Sequence, residues 1–63
     1  MNESDKALSQ EQRMELFLVL VEAQDSEMSV EQSRKATAER FGVSETQVRK
    51  IEREGLDANW PPL

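Results

Sequence analysis

Residues 34–53 read RKATAERFGVSETQVRKIER, and this stretch decides the fold. Its apolar positions, Ala38, Phe41, Val43, Val48 and Ile51, are spaced so that two short helices bury them at a shared corner. Gly42 stands where the first of these helices must stop. The residue after a helix end commonly turns left-handed, a conformation that a residue with a side chain adopts only at a cost. Ser44 follows, and its hydroxyl can accept from the free N–H groups that open the next helix, with Gln47 placed to reach back. Small residues such as Ala38 let the two helix axes approach closely.

The same capping signal occurs twice upstream. Ser9 with Gln12 opens a first helix, from about Gln10 to Gln24, and Ser29 with Gln32 opens a second, Val30 to Phe41. Met14, Phe17, Leu18 and Val21 supply the i, i+3, i+4, i+7 stripe of an amphipathic helix. The run LFLVLV at 16–21 also has strand propensity. No second strand exists to pair with it, and an isolated strand leaves its backbone groups unsatisfied, so the helix is the reading. Asp25 to Met28 is a polar connector. Val48 and Ile51 hold the third helix to the core, Gly55 reads as its stop, and Leu56 as packing back on its last turn.

These signals predict an all-α, three-helix domain over 9–56, preceded by a disordered segment at 1–8 and followed by an extended, Pro-rich tail at 57–63 that packs on the core. Trp60, the sole tryptophan, is expected to lie over the core as a lid. The alternative, an exposed Pro-rich partner motif, rests on a single Pro-Pro pair.

Composition narrows the chemistry. Sixty-three residues make one small domain, a size that buries only about 60% of the surface its unfolded chain exposes. The absence of cysteine and histidine removes disulfides, thiolate sites, the commonest metal ligand and the commonest general base. There is no nucleophile–base pair and no glycine-rich phosphate loop, and Glu22, Asp25 and Glu27 lack the spacing of a calcium loop. Neither catalysis nor a cofactor, metal or small-molecule ligand is expected. The longest apolar run is six residues, against the roughly 20 that span a bilayer, and the N-terminus is acidic rather than signal-like. A cytoplasmic, reducing location is the expectation.

Net charge is −5, unevenly spread. Residues 1–32 carry two basic and eight acidic side chains, a net of −6. Residues 33–53 carry six basic side chains (Arg34, Lys35, Arg40, Arg49, Lys50, Arg53) against three acidic (Glu39, Glu45, Glu52), a net of +3. Such polarity aims one face at phosphates while the other repels them. The helix from Ser44 to Glu54 is itself neutral, with three basic and three acidic groups, and Glu45–Arg49 and Lys50–Glu54 are spaced as i, i+4 pairs.

RFGVS at 40–44, VRKIE at 48–52 and the Gly55-Leu56 pair resemble the helix-turn-helix of bacterial DNA-binding proteins, and more narrowly the promoter-reading end (region 4) of sigma-70-type factors and small repressors. The match covers about 25 of 63 residues, over a motif of about 29–55. The chain departs from that pattern at Thr37, where a bulky aliphatic residue is usual, and at Glu45-Thr46-Gln47, where sigma factors are arginine-rich. The resemblance implies a helix 44–54 lying in the major groove of duplex DNA, with Ser44, Glu45, Thr46, Arg49, Lys50 and Arg53 outward. Of these, Ser44, Glu45, Thr46 and Arg49 would read bases: a guanine for Arg49, a thymine methyl for Thr46, cytosine N4 for Glu45. Lys50, Arg53, Arg34 and Lys35 suit phosphates, as do the helix N-termini at Ser29 and Ser44.

A small bacterial transcription regulator is therefore expected. Two other readings stay open. If Met14, Phe17, Leu18 and Val21 face the motif, then Leu16, Val19 and Leu20 form an apolar patch suited to a homodimer or another protein. The domain would alternatively be an adaptor docking on the transcription machinery without touching DNA.

Overall fold

The computed structural model describes residues 7–61. Three helices fill that span: α1 (Gln10–Asp25), α2 (Val30–Phe41) and α3 (Glu45–Ala58). Among the described residues there is no strand. The disorder expected for the N-terminal segment falls outside the described residues up to position 6, and the extended end of the tail does so from position 62. Leu8 is described and departs from expectation, for it is half-buried and packs against the core.

Each helix starts where a serine was expected to start it. At α1 the Gln12 N–H donates to Ser9 Oγ at 3.1 Å and the Ser9 N–H donates to Gln12 Oε1 at 2.9 Å. Ser29 and Gln32 repeat the exchange at 3.0 and 3.2 Å. At α3 the Gln47 N–H donates to Ser44 Oγ at 3.0 Å, while Gln47 itself is buried.

The helix ends are more varied. Gly42 closes α2 with φ 67°, ψ 37°, and two bonds complete the turn: Val43 N–H to the Ala38 carbonyl at 3.0 Å and Gly42 N–H to that of Glu39 at 3.4 Å. Gly55 does not end α3, which continues three residues to Ala58. Asn59 takes the left-handed position instead, at φ 54°, and the Trp60 N–H donates back to the Gly55 carbonyl at 3.0 Å. Asparagine tolerates that backbone better than most residues with a side chain. Gly55 has a different reason to be glycine: it lies against the ring of Phe17, and a methyl group there would clash with the ring carbons Cδ1, Cε1 and Cγ. Leu56, expected to pack back, stays 52% exposed. Between α1 and α2 the chain turns through Glu27 at φ 71°, a left-handed position the sequence did not reveal.

The core consists of Leu16, Phe17 and Leu20 from α1, Ala38 from α2, Val48 and Ile51 from α3, and Trp60 beyond it. Met14, Val21, Phe41 and Val43 flank it, half-buried. Trp60 meets Phe17 edge to face, with ring centroids 6.1 Å apart and planes at 78°. It is the lid the sequence suggested.

The buried stripe of α1 is rotated from the expected one. Leu18 is exposed, and the stripe runs Arg13, Leu16, Phe17, Leu20, Gln24, with polar residues at its two ends. Arg13 donates from Nε and Nη2 to the two oxygens of Glu54 at 3.0 and 3.1 Å, and Gln24 Nε2 donates to Glu52 Oε2 at 3.3 Å. Glu52 and Glu54 are two positions apart, on opposite flanks of α3 at about 100° per residue. Their partners on α1 lie about 16 Å apart along the axis, so α3 lies across α1 rather than alongside it.

Candidate functional site

The exposed face of α3 follows from what its other face buries. Gln47, Val48, Ile51 and Gly55 turn inward, so Thr46, Arg49, Lys50, Arg53 and Leu56 are left on one solvent-facing stripe at i, i+3, i+4, i+7 and i+10. Arg34 reaches toward this stripe from α2. Together with Glu52 these side chains line a shallow groove of about 650 Å³. Its lining has four cations and one carboxylate, a net of +3 in a chain whose total is −5.

The cations differ in how they are held. Arg49 has no ion pair among the described residues, so the expected Glu45–Arg49 pair does not form. Arg53 makes one long contact to Asp57, 3.8 Å, with the two side chains 82% and 73% exposed. A contact that open to water holds weakly and is screened by salt. Arg34 is held far more firmly: its Nε and Nη2 both donate to Glu52 Oε1, at 3.1 and 2.9 Å. Glu54 receives the guanidinium of Arg13 from α1.

Five of the eight residues expected to touch DNA line this groove: Thr46, Arg49, Lys50, Arg53 and Arg34. Glu45 is exposed on the first turn of α3, and Lys35 is exposed on α2, both outside the groove. Ser44 is half-buried with its hydroxyl oxygen engaged as the cap of α3. The groove also includes Glu52 and Leu56, which the sequence did not mark. Glu52 sits eighteen positions from Arg34, beyond any local spacing rule, and only the packing of α2 on α3 joins them.

The expected apolar patch is corrected. Leu16 and Leu20 are fully buried, because the core stripe of α1 is centred on them and Phe17, and Val19 is half-buried. The two leucines offer no surface to a second copy. Among the described residues no three acidic side chains converge as a metal site, and no helix is long and apolar enough to cross a membrane. Comparison of the chain with protein-family models, with curated proteins and with solved structures yields no match.

Proposed function

We propose that α2, the turn at 42–44 and α3 form a helix-turn-helix that binds duplex DNA, as the DNA-contacting module of a small transcription regulator. The observation that carries this reading is the stripe Thr46, Arg49, Lys50 and Arg53. It places hydrogen-bonding groups and positive charge on one exposed face of a rigidly capped helix. Arg49, unpaired and central, is the residue to meet a base edge, and Thr46 one turn earlier meets a thymine methyl. Lys50, Arg53 and Lys35 take phosphates, which fix orientation. The exposed acids of α1, Glu11, Glu15, Glu22 and Asp25, supply much of the negative charge and oppose any other docking face. The protein-interaction reading through α1 loses its main support with the burial of Leu16 and Leu20.

The test is fluorescence anisotropy of a labelled mixed-sequence duplex, titrated with the protein at several salt concentrations. Expected is binding whose log affinity falls linearly with log salt, at about −0.9 per phosphate contact. No binding even at low salt would reject the reading. Once a preferred site is selected, Arg49→Ala should weaken it by about 1–3 kcal/mol and relax discrimination at one base pair.

A further inference from the structure

We propose that Glu52 is an internal counterion that withholds Arg34 from bound anions, making Arg34 a positioning residue rather than a phosphate contact. The inference rests on the reading of the groove as an anion-binding face.

Glu52 is tied from two sides. Its Oε1 accepts both Arg34 bonds, and its Oε2 accepts from Gln24 of α1. The side chains of Arg34 and Glu52 are 31% and 17% exposed, against 82% and 73% for Arg53 and Asp57. A charge pair shielded from water resists screening, and separating it strands a carboxylate in a poorly solvated place. A phosphate entering the groove therefore meets Arg49 and the loosely held Arg53 first. To recruit Arg34 it must displace a carboxylate that already supplies the same geometry from within the fold. Glu52 thus does to Arg34 what a phosphate oxygen would do, and joins α1, α2 and α3 at one point. The groove presents four cations but engages fewer.

The experiment follows arginine Nε–H resonances of the full chain by nuclear magnetic resonance while inorganic tripolyphosphate is added. In the wild-type protein the Arg49 and Arg53 signals should move and that of Arg34 should stay. In Glu52→Gln, which keeps shape and removes charge, the Arg34 signal should move with the others, and the salt slope on duplex DNA should steepen by about 0.9. An Arg34 signal that moves with Arg49 in the wild-type protein overturns the proposal, and that arm stands even if the variant does not fold. An Arg34 signal that stays still in a folded Glu52→Gln overturns it too, as would no arginine moving in either protein. Failure to bind DNA while tripolyphosphate gives the expected pattern would reject the DNA reading and leave the counterion in place.

Discussion

Gly42 and Gly55 show how differently two identical residues are justified. Gly42 serves its own backbone, at φ 67°. That requirement is local, and a helical stripe that stops at Phe41 is enough to locate it. Gly55 serves the ring of Phe17, a residue on another helix. Nothing near position 55 encodes that need, so a glycine late in a helix reads as a stop when it is a contact. Gly55→Ala should lower stability by a net of about 1–2 kcal/mol, because overpacking against a fully buried ring outweighs the better helix propensity of alanine. Urea denaturation measures it, and an unchanged or raised midpoint would show that Phe17 yields. Thr37 makes the opposite case. It is 1% exposed, and its hydroxyl has no hydrogen-bond partner. Thr37→Val keeps the shape and removes the stranded polar atom, so stability should rise by about 1 kcal/mol in the same assay.

At the scale of elements, starts were legible and faces were not. All three N-caps stand where Ser and Gln spacing puts them, since a cap is satisfied within four residues. Ser29→Ala should cost about 1 kcal/mol, read as a lower thermal midpoint, with the corner of α2 and α3 unaffected in amide spectra. The face of α1 was ambiguous because LFLVLV satisfies two overlapping stripes at once. Packing breaks the tie through the stripe's polar ends, where Arg13 and Gln24 find Glu54 and Glu52. Those partners are forty-one and twenty-eight positions away, so the correct stripe looked like the less apolar one. The same reasoning explains the site: the inward Val48 and Ile51 of α3 were readable from helical period and its outward face was implied by the family resemblance, whereas the Arg34–Glu52 pair was signalled by neither.

For the whole molecule, one contact beyond the last helix carries a disproportionate share of stability. A chain of 63 residues has a total of roughly 3–9 kcal/mol on typical per-residue values, and truncating a buried tryptophan costs about 3–5. Trp60→Ala should therefore abolish or strongly lower the cooperative thermal transition followed by circular dichroism. A midpoint within a few degrees of the wild type would mean that the three helices close without their lid.

That lid has an optical consequence. Trp60 is the only indole in the chain, it is buried edge-on to Phe17, and it lies outside the lining of the groove. Its emission should be short in wavelength and shielded from acrylamide in the folded protein, and should change only when the core opens. Adding DNA or polyphosphate should leave the tryptophan spectrum still while a label on the nucleic acid responds. The protein thus carries its own witness to folding, one that does not see binding.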